Sequence, residues 1–544
     1  MDKNIVKGEH LEKLIEGNLG ELTYSLLNNY EENVIQIDAA TGEELTGGIL
    51  LRRAIRVSNF FNENGIGVGS TVSVMSENRL EFCLIPVACF FVGATFAPLN
   101  PDYTPEELKH VMNLSKPRII FSSAKSIMKL SKIKNEYPFL KLLVLFGSNE
   151  NTDSFIGMNN LIKDAEKDQI PSDFEVPQYD PKETVATILC SSGTTGMPKG
   201  VMCTHDNMTS FVDIASVAFM RMMDDDDPDS LSNSFVGIIP FFHSFGFMTM
   251  FLNVLRGKTM VVFNKFKPKI FLDAVVKYEI KRLLVPPPIV QFLVKNPLTL
   301  QYDLSCVKEV LTGAAPLPQD TEIALKQKFK IRHVGQGYGM TETTLGVMSN
   351  PPDRPKLGSV GRILPGMMAK VIDDDGNALG PREEGELCLK GPLIMKGYVG
   401  DEEATRNCID EDRWLHTGDV AYYDEEGYFF IVDRLKELIK YNAFQVPPAE
   451  LESLLVSHPA VFDAAVIGLP DDDAGELPLA FVVKKPGAEV TAEELQNFVK
   501  GKVSPQKQLR GGVKFLKEIP RNPSGKILRR VLKKIAIKDI KSKL

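Results

Sequence analysis

The chain has 544 residues, 43% of them hydrophobic and 25% charged, with a formal net charge of −8. That length exceeds one hydrophobic core and predicts two or more domains, while the acidic balance excludes nucleic acid as the main partner. Seven cysteines (Cys83, Cys89, Cys190, Cys203, Cys306, Cys388, Cys408) lie scattered with no CxxC pair and no His/Cys cluster, so the expectation is a reducing compartment and no zinc site.

The first 17 residues are polar and helix-like and show no secretory signal. Residues 82–99 carry no charge over eighteen positions, the length of a membrane span, but Pro86, Gly93 and Pro98 interrupt them. A helix followed by a strand inside an α/β core is expected there, and no transmembrane segment. From about residue 20 to 430, apolar runs such as 71–75, 118–121, 141–146 and 259–263 alternate with amphipathic stretches. Strands alternating with helices predict an α/β fold of layered, largely parallel sheets.

A further apolar run, 184–189, leads into Ser191-Ser192-Gly193-Thr194-Thr195-Gly196-Met197-Pro198-Lys199-Gly200. Glycines let backbone come close to a ligand, hydroxyls and N–H groups donate to phosphate oxygens, and lysine adds a point charge. This is a phosphate-binding loop whose spacing differs from the Walker pattern, because Pro198 lies five residues after Gly193 and Gly200 follows Lys199. The acidic run at 224–229 reads as a solvated loop, since adjacent carboxylates cannot all face one ion. His243 lies among aromatics, and Gly313-Ala314-Ala315 offers small residues where a flat ring or a carboxylate approaches backbone. Gln336-Gly337-Tyr338-Gly339-Met340-Thr341-Glu342 presents an aromatic for stacking a base, a hydroxyl for phosphate and a carboxylate for magnesium.

Residues 370–373 and 385–389 have hairpin spacing and suggest a small antiparallel, barrel-like portion. Asp419, closing Trp414-Leu415-His416-Thr417-Gly418-Asp419, suits ribose hydroxyls, and Arg434 is near enough in sequence to the change of character to reach the same sugar. After Arg434 the pattern becomes that of a compact α+β unit: a helix over 448–456, strands over 461–467 and 479–483, and a helix over 492–499. The boundary falls near Lys436, dividing a large domain, 1–435, from a smaller one, 436–544. Lys440 and Lys526 lie in this second unit, Lys526 in the loop Asn522-Pro523-Ser524-Gly525-Lys526. A basic helix over 527–540 reads as a solvated face, and Ser542-Lys543-Leu544 reads as a peroxisomal address for an import receptor.

Taken singly, most of these segments are ordinary turns; together and in this order they resemble the adenylate-forming superfamily of acyl-CoA synthetases, coumarate–CoA ligases and beetle luciferases. The segments SSGTTGMPKGV, QGYGMTETT, WLHTGD, DRLKELIK and PSGK carry the resemblance, which runs from about residue 40 to the end and is closest to insect luciferase-like acyl-CoA synthetases. The resemblance implies activation of a carboxylate by Mg-ATP to an acyl-adenylate, then transfer to the thiol of coenzyme A. It implies that Ser191 to Lys199 hold the β- and γ-phosphates, Tyr338 stacks on adenine between Gly337 and Gly339, Thr341 bonds the α-phosphate and Glu342 binds magnesium. Asp419 and Arg434 would fix the ribose, and His243 would orient the carboxylate. Lys526 would bridge carboxylate and α-phosphate; rotation of the small domain about Lys436 would then exchange it for Lys440.

The same resemblance bears on the acid. Firefly luciferases carry arginine where this chain has Phe211 and serine where it has Leu345, and Phe242 replaces a histidine. Loss of a cation and a hydroxyl favours an acyl chain over a heterocycle with polar ends. With Phe211 and His243, the residues Phe245, Phe247, Thr249, Val285 and Leu345 form the expected pocket wall. Ala443 stands where the family usually has glycine, in a segment expected to meet coenzyme A. The reading is a medium- or long-chain fatty acyl-CoA ligase; a beetle-type luciferase, a coumarate-like carboxylate–CoA ligase and a non-catalytic acyl or nucleotide binder remain the alternatives.

Overall fold

Apolar, β-branched runs become strands, and the amphipathic stretches between them become helices that cover two large sheets. The computed structural model describes residues 4–12, 15–170, 174–191, 197–220, 234–442, 444–471, 474–523 and 525–541. Among these residues the first sheet has eight strands, the second fourteen and the third five. The centre of the first is parallel, with Thr71–Met75 between Thr95–Phe96 and Ile119–Ser122, and its edge is antiparallel where Val185–Ser191 pairs with Lys199–Thr204.

The second sheet changes character midway. From Val34–Asp38 through Met260–Val262, Phe235–Gly237, Arg282–Leu284 and Glu309–Thr312 to His333–Gly339 every pairing is parallel. His333–Gly339 then pairs antiparallel with Gly346–Ser349, and the antiparallel ladder continues through Gly361–Ile363, Tyr428–Arg434, Leu415–Tyr423, Gly385–Lys390 and Met368–Ile372. The hairpin expected over 370–389 therefore exists. Among the described residues its strands continue the large open sheet and close no barrel, because Gly346–Ser349 and Gly361–Ile363 tie them edge-on to the parallel half.

The uncharged stretch 82–99 is the interior helix Leu84–Val92, stopped by Gly93 in the left-handed region (φ 70°), and the strand Thr95–Phe96. Every side chain of that helix is buried. No helix among the described residues is long and apolar enough to cross a membrane.

The third sheet follows, in which Val461–Asp471 and Gly475–Lys484 form a long antiparallel pair. The helices Pro448–Val456 and Ala492–Lys500 cover it, and Leu451, Leu455, Val466, Val482, Leu495 and Val499 form its own apolar core. This smaller unit is seated on the large one at several places, among them the Ala449 N–H, which donates to Asp433 Oδ2 at 3.0 Å. A Cβ on Gly525 would lie 3.4 Å from both Pro286 and Pro288, and Lys295 Nζ donates to the carbonyl of Phe462 at 2.7 Å.

Candidate active site

Successive parallel strands deliver the singled-out residues to one edge of the large sheet, since each is followed immediately by one of those segments. Beyond Phe235–Gly237 come Phe241 to His243; beyond Arg282–Leu284, Val285; beyond Glu309–Thr312, Gly313 to Ala315; and His333–Gly339 runs into Met340 to Glu342. The carboxyl ends of parallel strands, at the point where strand order changes, are where open α/β sheets bind ligands. Here that point is His333–Gly339, parallel on one side and antiparallel on the other. Backbone is exposed there: Gly313 and Ala314 are part-accessible, Ala314 with φ 69°, and a Cβ on Gly313 would come within 3.3 Å of the Gly337 carbonyl.

Side chains from distant segments meet around this edge. Tyr338 Oη donates to Asp419 Oδ2 at 2.5 Å, and Arg434 Nε lies 3.2 Å from Asp419 Oδ1. The last two are opposite partners on neighbouring antiparallel strands, so sheet register alone sets the pair. Burial pushes the Asp419 carboxyl up, and the Arg434 guanidinium and the Tyr338 hydroxyl work against that shift. Thr341 Oγ1 is 3.3 Å from Ser244 Oγ, and Glu342, buried in the same 3₁₀ turn, accepts from Tyr398 Oη at 2.9 Å. The Tyr398 ring also lies 4.6 Å from Lys199 Nζ. Tyr398 thus links the loop lysine to the carboxylate, a role the sequence reading missed. Its surroundings, Gly397-Tyr398-Val399-Gly400, repeat the glycine-bounded aromatic that drew notice at Tyr338.

Ser191 and Lys199 are opposite partners at the root of the phosphate-type loop. Ser192, Gly193, Thr194, Thr195 and Gly196 lie outside the described residues, as do the acidic run 224–229, Ala443, Ser524 and Ser542 to Leu544.

His243 caps the helix Ser244–Leu255: its Nδ1 accepts from the Phe245 N–H at 3.3 Å, which leaves the ring proton on Nε2. Burial, with a smaller push from the Lys526 charge, lowers its pKa to about 3, so the ring is neutral at physiological pH. Lys526 arrives from the small unit in the loop seated on Pro286 and Pro288, and its backbone N–H is held by Asn522 Oδ1 at 2.8 Å. Burial and Arg434 pull its ammonium pKa down, while Asp419 and Glu342 pull it up, so Lys526 belongs to the same electrostatic cluster. Lys440 lies elsewhere, exposed on the strand Ile439–Tyr441 of the small sheet, with its N–H on Glu476 Oε2 at 3.1 Å.

The expected pocket wall divides between two apolar cores. Phe211, Phe247 and Leu345 pack with the first, Val285 and Phe245 with the second. Phe247 is fully buried, stacked between Phe96 at 5.3 Å and Phe251 at 6.0 Å, so it backs the wall from within the aromatic core. The Thr249 hydroxyl is spent on the Phe245 carbonyl at 2.7 Å.

Comparison with known proteins finds relatives along nearly the whole chain. A family model for AMP-binding enzymes matches residues 27–399, and one for the AMP-binding enzyme C-terminal domain matches 450–526. A luciferin 4-monooxygenase of Photuris pensylvanica is 38% identical over the whole of both chains. A peroxisomal OPC-8:0-CoA ligase of Arabidopsis thaliana is 37% identical over 93% of this chain and 91% of that protein. Among solved structures, ATP-bound MatB from Rhodopseudomonas palustris superposes with a TM-score of 0.82 at 27% identity, covering 95% of this chain and 99% of MatB. The chain belongs to the AMP-binding enzyme family of the adenylate-forming superfamily, which counts both luciferases and CoA ligases among its members.

Proposed function

We propose that the chain is an ATP-dependent fatty acyl-CoA ligase, converting a medium- or long-chain fatty acid, ATP and coenzyme A to acyl-CoA, AMP and diphosphate. The observation that carries the choice of acid is the apolar character of Phe211, 5% exposed, and Leu345, both packed on the main core with no cation or hydroxyl at either position. A luciferin with polar ends would bury groups there without partners, at a cost of about 1–3 kcal/mol each.

In this reading Tyr338 stacks on adenine over Gly337 and Gly339, beside the small residues Gly313, Ala314 and Ala315. Asp419 and Arg434 grip the ribose, and Ser191 to Lys199 close on the terminal phosphates. The donor set suits Mg²⁺, which is held by one or two carboxylates together with substrate phosphates: one buried carboxylate, Glu342, stands beside the hydroxyls of Thr341 and Ser244. The ion would supply charge neutralisation at the phosphates. His243 presents its Nε2–H to the carboxylate, and Lys526 supplies positive charge where the carboxylate oxygen attacks the α-phosphorus and diphosphate leaves. With residues 436–544 as the moving domain, rotation would then replace Lys526 by Lys440 and admit coenzyme A. Ser542-Lys543-Leu544 would direct the protein to the peroxisome.

The test incubates the protein with ATP, Mg²⁺ and coenzyme A against fatty acids of graded length, coumarate and luciferin, measuring diphosphate, thioester and photons in the same tubes. Fatty acyl thioester is expected. Coumaroyl thioester alone, or photons from luciferin without any fatty acyl-CoA, would reverse the assignment, and no diphosphate with any of these acids would favour a non-catalytic binder.

A further inference from the structure

Two neighbouring strands of the antiparallel half carry a group of donors that sequence spacing does not reveal. Cys388 on Gly385–Lys390 and His416 on Leu415–Tyr423 are directly opposite partners. Glu386, two residues before Cys388, shares its face of the strand. Register thus gathers a carboxylate, a thiol and an imidazole from positions up to thirty residues apart. His416 Nδ1 lies 2.9 Å from Glu386 Oε2 and 3.6 Å from Cys388 Sγ, and the three donor atoms are all within 4.8 Å of one another.

We propose that Glu386, Cys388 and His416 form a binding site for one thiophilic divalent cation, Zn²⁺, with its fourth position open to solvent. Zn–S near 2.3 Å and Zn–N near 2.0–2.1 Å at a tetrahedral angle separate the two donors by about 3.6 Å, matching the Sγ to Nδ1 distance. The surrounding groups orient the ligands. The second carboxylate oxygen, Glu386 Oε1, accepts from the Gly418 N–H at 3.0 Å, leaving Oε2 toward the ring. Asp410 Oδ2 stands 3.6 Å from His416 Nε2, on the far side of the ring, where a carboxylate fixes the tautomer of a metal-bound imidazole. Cys388 is fully buried in an apolar cluster with Ile372 and Trp414, while the Glu386 and His416 side chains keep 21% and 31% of their exposure and give the ion its way in. Binding displaces the thiol proton to solvent and involves no change of oxidation state. This group shares no ligand with Glu342 and offers the sulfur and nitrogen donors that Mg²⁺ avoids.

The test uses the full chain, stripped with chelator and titrated with Co²⁺. One equivalent is expected to produce a thiolate-to-cobalt charge-transfer absorption, which Zn²⁺ then displaces. Cys388→Ser should remove that band, and His416→Asn should weaken Zn²⁺ binding at least tenfold. Asp410→Asn should weaken it by ten- to a hundredfold with the band kept, as expected of a positioning residue, and Cys306→Ser should change nothing. A wild-type Co²⁺ spectrum without a thiolate band overturns the proposal even if Cys388→Ser does not fold, as does Zn²⁺ binding that survives both Cys388→Ser and His416→Asn.

Discussion

His243 caps a helix with the same ring that senses the Lys526 charge. Its folded-state pKa of about 3 lies below the ordinary 6.5, so between these values the unfolded chain binds a proton that the folded chain refuses. Stability contributed by the neutral ring is therefore whole above pH 6.5 and lost as pH falls toward 3. His243→Asn should lower the adenylation rate, leave the shape of the pH–rate profile between 6 and 8 unchanged, and lose less stability than wild type in urea titrations below pH 6. A rate profile whose ionisation disappears in the variant would mean that the ring titrates in the working range. The histidine's place among aromatics is visible in the sequence; its role as a cap is not, because Nδ1 reaches the Phe245 N–H only once the helix begins at Ser244.

At the scale of the element, His333–Gly339 governs the site, and its end is sterically fixed. A Cβ on Gly339 would lie 1.8 Å from the Leu345 carbonyl oxygen, whereas one on Gly346 would meet nothing nearer than the Tyr338 carbonyl at 3.9 Å. Gly339→Ala should lower stability by at least about 1–3 kcal/mol and displace Tyr338, while Gly346→Ala, seven residues away, should be nearly neutral; equal thermal shifts in the two variants would contradict the clash. Many elements are legible locally: 71–75 is a strand as read, and Pro448–Val456, with proline in its first turn, is the helix expected there. The fusion of the 370–389 hairpin to the parallel sheet is not, because strand partners 13 to 68 residues distant leave no periodic trace. The helix Ser244–Leu255 is apolar all round, so nothing in its pattern tells that Phe247 faces Phe96 and Phe251 instead of a cavity.

For the whole molecule, the geometry seats the Lys526 loop on Pro286 and Pro288 and leaves Lys440 outside the cluster. Lys295 clasps this arrangement through the Phe462 carbonyl, and burial, with Lys485 adding to it, lowers its pKa to about 8. Under the proposed cycle the two lysines are separable: Lys526→Ala should abolish diphosphate release while sparing thioester formation from a supplied acyl-adenylate, and Lys440→Ala should do the reverse. Equal loss of both half-reactions in either variant would remove the case for a rotating domain. The motifs around Lys526 and Lys440 are readable in the sequence. The clasp is not, since a lone lysine ending a helix gives no sign of which carbonyl it will find.

The seam strand has one more implication. Tyr338 lies on the strand that joins the parallel half to the antiparallel half, and Asp419 with Arg434 lies deeper in the antiparallel half, yet one continuous ladder through Gly346–Ser349, Gly361–Ile363 and Tyr428–Arg434 keeps them in step. Phe211 and Phe245 project from helices outside that ladder. Under the proposed function the molecule would be built like a chassis with interchangeable tooling: repainting the helix faces would alter what is accepted as cargo while the frame that carries the proposed sugar clamp stays in alignment, whereas a one-residue deletion inside any of those linking strands would throw every later contact out of phase.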